Sequence, residues 1–405
     1  MRELFFKTRN IAGIILIISP VLGTFSTDRP FFFYLLLLAG ASAAVPLHFA
    51  GILFLPFRLW LFSGCLAAAA GLVLSELVSA GMLCFRFLYL SALFQGAACG
   101  GLLLLLPPLM AAGWFHRSKT MVLGYLWSVS LLLMPLWQTA FHQAAGWAIA
   151  ASVFSMAAGI VFLQRPPVNY RRRENPLLLE RSGNFIKPSV YTAAIAASLG
   201  MVISLSILVM PLPAQHDGGI SFVLPSALQA DPLSVLVAAL PYCFLAASPV
   251  WTAFFMERRG VFSGCVLLIF LCESAVLCLG CAGSAAGGFD FSLGSGAAWS
   301  LMGSRVLPPA GCCLLAAAAG CLPVVLPILT HYLYGSINYL KSFGRLVFFL
   351  PAGLLASMPF CYLAAEGELT PEEPVIFLLC LLVLSFFCIF SAWKHRFIIL
   401  KNKIL

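Results

Sequence analysis

Twelve apolar stretches, each long enough to cross a hydrocarbon layer, leave this chain few ways to fold. They run over 11–27, 31–55, 60–80, 87–112, 120–141, 146–163, 191–212, 233–255, 261–282, 306–330, 346–364 and 375–393. A spanning helix needs about 20 apolar residues. Hydrocarbon offers the backbone no hydrogen-bond partner, and the alternation of a spanning barrel is absent, so each stretch must be helical. The expected class is an all-α polytopic membrane protein with 12 transmembrane helices.

Charge sorts onto these spans with one polarity. With the N-terminus inside, the inner segments hold Arg2, Lys7, Arg9, Arg58, Arg117, Lys119, Arg165, Arg171, Arg172, Arg173, Arg181, Lys187, Arg258, Arg259, Lys341, Arg345, Lys394, Arg396, Lys401 and Lys403. Only Arg29, Arg86 and Arg305 fall outside. Basic loops are retained on the cytoplasmic side during insertion, so 20 of the 23 basic residues lie where the rule puts them. An error in the span count would invert every loop beyond it. The even count places both basic tails in the cytoplasm and keeps the first stretch as a span, not a cleaved leader.

At 62% hydrophobic and 9% charged, the composition excludes a soluble domain. The formal charge of +9 implies no nucleic-acid partner, because anionic headgroups account for basic residues at that face. Most of the 14 cysteines lie inside spans, where they pack as small apolar groups. Cys278 and Cys281 form a CxxC with no neighbouring His or second pair, so no metal site or cofactor is expected.

The chain divides at its longest inner loop, a Pro-flanked basic linker over 165–190. Residues 1–164 precede it as six spans and 191–405 follow as six more. Part of the first set recurs in the second. Arg58-Leu-Trp-Leu-Phe-Ser-Gly-Cys opens span three, and Arg258-Arg-Gly-Val-Phe-Ser-Gly-Cys opens span nine, with an offset of 200. Each of those spans then carries one acid near its far end, Glu76 and Glu273. Recurrence at corresponding spans points to duplicated halves.

Six plus six spans, a basic linker and repeated halves resemble the major facilitator superfamily of secondary transporters. Gln95-Gly96-Ala-Ala-Cys-Gly100-Gly101 followed by Trp114-Phe-His-Arg-Ser-Lys119 looks like that family's Gly-rich fourth helix and its turn into the fifth. Glu257-Arg258-Arg259-Gly260 is similar to its acidic-basic-Gly loop before the ninth helix. The matching first-half loop around Arg58 lacks the acid and the glycine. The resemblance implies two bundles moving by alternating access, with latching roles for Arg58, Glu257, Arg258 and Arg259.

Candidate chemistry inside the membrane is sparse. His48 lies ten residues before Arg58, about 15 Å from the inner surface, where an imidazole can change charge in the physiological range. The alternative is a neutral His bonded to a neighbouring helix beside Pro46. Glu76 is expected to pair with Arg86, while Glu273, about 22 Å from the inner face, is a coupling candidate. Gln95, Trp127 and Tyr242 sit on spans that the resemblance places around a central cavity. An apolar, aromatic lining with no Arg clamp suits a neutral or lipophilic solute. No phosphate loop or nucleophile elbow is present, so no enzyme is expected. The expected partners are a small solute, membrane lipids and a coupling ion, for a monomeric carrier in the cell membrane. The competing reading is a membrane sensor of the same architecture that signals to a separate cytoplasmic partner.

Overall fold

The computed structural model describes residues 2–24, 31–115, 118–164, 194, 198, 232–286, 307–355 and 372–404. Those residues are helical apart from short turns, with no strand among them. Eight helices there are long and apolar enough to cross a membrane. The chain is a polytopic membrane protein.

The apolar runs become α1 (Arg2–Gly23), α2 (Phe31–Phe54), α3 (Phe57–Ser79), α4 (Arg86–Ala98), α5 (Leu106–Trp114), α6 (Lys119–Gln143) and α7 (Ala145–Phe162). Beyond the linker come α8 (Pro232–Arg259), α9 (Val261–Ala286), α10 (Leu307–Val347) and α11 (Glu372–Ile404). Of predicted span seven only Ala194 and Ser198 are described, and span eleven is described only as far as Leu355. The basic linker lies outside the described residues.

Three differences from expectation bear on how the helices pack. Helix α1 starts at Arg2, ahead of its apolar stretch. Predicted span four is α4 and α5 joined through a π-helical segment, Cys99–Leu103. There the Leu104 amide donates to the Cys99 carbonyl five residues back, at 3.1 Å. Pro107 supplies no N–H to continue the regular ladder, and the helix restarts with both prolines in its first turn. Helix α10 does not stop at residue 330 but runs on to Val347. Its extension is amphipathic: Tyr339, Phe343 and Val347 recur at helical spacing and are all buried.

Packing repeats across the linker. Helix α2 packs on α4, α3 on α4 and α3 on α7; after the linker, α8 packs on α10, α9 on α10 and α9 on α11. The recurring Phe-Ser-Gly-Cys lies in the first turns of both α3 and α9, while Arg58 starts α3 and Arg258 ends α8. Ser63 donates to the Trp60 carbonyl at 2.7 Å and Ser263 to the Arg259 carbonyl at 2.8 Å. Cys65 and Cys265 are buried behind them.

Backbones approach closely where side chains are small. A Cβ on Gly100 would lie 2.7 Å from the Ala41 carbonyl, and one on Gly40 would lie 2.7 Å from the Leu93 carbonyl. Without a hydrophobic drive in lipid, such small-residue contact is what holds α2 against α4.

Candidate functional site

Arg58 in the first turn of α3, Lys119 at the start of α6, and Arg258 and Arg259 at the end of α8 flank the short turns between these helices and their neighbours. This is the basic end of the bundle. Helices from before and after the linker meet there and along one seam.

The seam is α6 against α8. Gly124 sits so close to α8 that a Cβ on it would fall 2.7 Å from the Ala253 Cβ and 2.8 Å from the Pro249 carbonyl. One turn on, the Ser128 hydroxyl donates to the Ala246 carbonyl. Further along, the Tyr242 hydroxyl donates to the Leu131 carbonyl. A helical carbonyl has a second lone pair, so these bonds add to the helix ladder without breaking it.

The basic end is closed by α5, α6 and α10. Lys119, the first residue of α6, places Nζ 2.9 Å from Nδ1 and 2.8 Å from Nε2 of His331. The Tyr339 ring lies 5.3 Å from the His331 ring and stacks on Phe343 at 5.4 Å. A small cavity beside them is lined by Pro108, Ala111, Ala112, Leu123, Pro327 and Ile328 along with the three polar residues. Farther down α10, Gly344 packs against the Phe49 ring of α2. Tyr339 belongs to the stretch beyond the apolar span, and burial pushes its phenol well above the ordinary value.

The residues singled out from sequence do not converge on one place. His48 is half-buried between α2 and α4, with the Ala97 backbone as a hydrogen-bond partner. Its ring leaves no room for a Cβ on Gly101 and stands edge-on to Trp60, centroids 6.1 Å apart. Gln95 is buried between α3 and α4, its Nε2 3.3 Å from Ser91 Oγ and 3.5 Å from the Gly71 carbonyl. Trp127 on α6 is buried, and its indole N–H has no hydrogen-bond partner. Tyr242 belongs to the seam.

Most of the charged candidates are exposed. Arg58, Glu257, Arg258 and Arg259 are exposed at the basic end, and the Arg258 guanidinium sits 4.3 Å above the Phe254 ring of its own helix. Glu273 is exposed on the same face of α9 as Phe270 and Leu277. The expected pair of Glu76 with Arg86 is not formed. The two lie on either side of a turn through Gly81, Arg86 exposed and Glu76 half-buried. Among the described residues, no group of three or more His, Cys, Asp or Glu converges as a metal site would.

Sequence reasoning missed His331 and Ser128, and it quoted Lys119 only as part of the basic turn before the fifth span. His331 falls one residue past the predicted end of its span, so it reads as loop. The helical spacing of Tyr339, Phe343 and Val347 was the available sign that the helix continues.

No protein-family model and no curated protein matches the sequence. Solved structures do. A bacterial homologue of the iron transporter ferroportin in its outward-facing state superposes with a TM-score of 0.57 at 15% identity, over 96% of this chain and 98% of that one. The same type of homologue in an outward-facing state with soaked iron gives 0.56 at 16% identity, over 96% and 98%. The chain shares the fold of these structures.

Proposed function

We propose that this protein is a secondary transporter that moves a small solute across the cell membrane by alternating access. In this reading 1–164 and 191–405 are two six-span halves, 165–190 links them in the cytoplasm, and the basic end is the cytoplasmic one. The observation that carries it is the arrangement of contacts between the helices on either side of the linker. They are joined along α6–α8 and closed at the basic end through Lys119 and His331. That arrangement suits an outward-facing carrier, the state in which the similar structures were solved.

The solute we favour is neutral or lipophilic. Trp127 offers a buried, unbonded indole N–H on α6, and its surroundings are apolar. A buried donor without a partner costs free energy that a bound solute's acceptor would recover. The second reading, a divalent cation, comes from the iron transporter homologue.

A thermal-stability screen of the purified protein tests both, because a ligand of the folded state raises Tm by mass action. The panel holds neutral metabolites, lipophilic drugs and Fe2+, and each hit is then assayed for counterflow in liposomes. Counterflow of a neutral compound, weakened by Trp127→Phe, supports the favoured reading. Counterflow of Fe2+ alone replaces it with the second. Binding without counterflow removes the carrier in favour of a sensor.

A further inference from the structure

Two buried polar groups on α6 are left without a partner, and they share one stripe of that helix. Trp127 is 7% exposed and Ser130 0% exposed, yet neither the indole N–H nor the hydroxyl makes a hydrogen bond. A buried polar group without a partner costs free energy, so such groups are few in folded proteins. For a serine in a helix the remedy is close at hand, since its hydroxyl reaches the carbonyl four residues back. Ser152 and Ser385 bond in that way, and Ser128 spends its hydroxyl across the seam. Among the buried serines described, only Ser42 on α2 shares the state of Ser130.

The stripe runs beside the α6–α8 seam. Gly124, Ser128 and Leu131 meet α8, and Trp127 and Ser130 each lie one residue before a member of that row. Four residues before Trp127, Leu123 borders the cavity at the basic end. Seven residues after Ser130, the Trp137 indole donates to the Ser19 hydroxyl of α1 at 3.2 Å. The stripe therefore satisfies its indole where it meets α1, and leaves Trp127 and Ser130 unsatisfied before that point. Counted from Lys119 at 1.5 Å per residue, they stand about 12 Å and about 17 Å along the helix. That is near the middle of a hydrocarbon layer about 30 Å thick.

We propose that Trp127 and Ser130 form a two-point solute subsite for an uncharged, largely apolar molecule carrying two hydrogen-bonding oxygens. The inference rests on the carrier reading with a neutral solute; it adds Ser130 and the chemistry that the solute must bring. An indole N–H only donates, so one oxygen must accept. The serine hydroxyl donates or accepts, so the second oxygen is a hydroxyl or a carbonyl. The surroundings select against charge. Helix α6 has no acidic or basic side chain between Lys119 and His142, and the residues packed around Trp127 form an apolar core. Two neutral groups do not offset the cost of bringing a bare ion into such a place. Both groups are covered in this structure, so the solute reaches them when α6 parts from a neighbouring helix, as alternating access requires.

The test reads the subsite directly. In nanodiscs, the nitrogen–proton resonance of the Trp127 indole is assigned by its loss in Trp127→Phe. It is then followed during titration with small neutral alcohols, diols and hydroxyketones, each run beside the hydrocarbon of the same skeleton and against empty nanodiscs. A diol or hydroxyketone should shift that resonance saturably and bind more tightly than its hydrocarbon. Ser130→Ala should weaken that compound about three- to tenfold, weaken the matching mono-alcohol less, and leave the hydrocarbon unchanged. The same substitution should leave the Tm of the ligand-free protein unchanged or raise it, because the hydroxyl removed has no partner. A fall in Tm with selectivity intact would show a structural hydroxyl and overturn the proposal. So would a resonance that no oxygen-bearing compound moves, or diol binding that Ser130→Ala leaves intact. Ser130-dependent binding without counterflow keeps the subsite and removes the carrier; counterflow of a neutral compound untouched by Ser130→Ala keeps the carrier and removes the subsite.

Discussion

The Tyr242 hydroxyl donates to the Leu131 carbonyl and so ties α8 to α6 across 111 residues of sequence. Sequence placed Tyr242 in a solute cavity; the bond gives it a second role, in the seam. Tyr242→Phe removes only the oxygen. A hydrogen bond of this kind contributes about 1 kcal/mol, so Tm should fall modestly and the transport rate should change with solute affinity retained. A large loss of affinity at unchanged Tm would return Tyr242 to the solute site.

Next along the same seam, Gly124 has no space for a side chain. A Cβ there would sit 2.7 Å from the Ala253 Cβ and 2.8 Å from the Pro249 carbonyl. Overpacking of this sort costs about 1–3 kcal/mol. Gly124→Ala should lower Tm and slow transport, and adding Ala253→Gly should recover part of both. Full wild-type stability in the single variant would show that the seam opens freely.

Why were the helices legible and the contacts not? Apolar runs declare themselves because each residue of a span must satisfy the lipid independently of the rest of the chain. The end of α10 does not, since Lys341 and Arg345 interrupt it and its apolar residues occupy one face only. Seam and gate depend on pairs far apart, 118 residues for Ser128 with Ala246 and 212 for Lys119 with His331. Neither partner looks unusual by itself. The π segment is intermediate: the glycines Gly100 and Gly101 were visible as a Gly-rich fourth helix, but nothing in them specifies its π geometry.

Experiment separates a packing role for His48 from a coupling one. The His48 ring is packed on Gly101 and Trp60 and bonded to the Ala97 backbone, so His48→Gln should cost stability through that contact. Uptake measured across pH 5.5–8.5 should keep in this variant whatever pH dependence the wild type shows. Loss in His48→Gln instead would make His48 the coupling group.

Glycine ends α8 for a backbone reason. Gly260 has φ of 94°, and its amide bonds back to the Met256 carbonyl at 2.9 Å. Only glycine adopts that conformation without strain, so Gly260→Ala should lower Tm by about 1 kcal/mol of stability. Unchanged Tm would mean that the turn rearranges without cost.

Arg258, two residues before that turn, is exposed and lies 4.3 Å over the Phe254 ring of its own helix. An exposed cation–π contact contributes about 0.5–1 kcal/mol, too little to fix the fold. The guanidinium is therefore free to exchange partners when the basic end opens and closes, as a latch must. Neutralising it in Arg258→Gln should leave Tm and solute affinity near wild type and lower turnover several-fold, measured by counterflow and by ligand-induced thermal shift on the same preparation. Equal losses of turnover and affinity would place Arg258 in the binding of solute, and unchanged turnover would remove it from the gate.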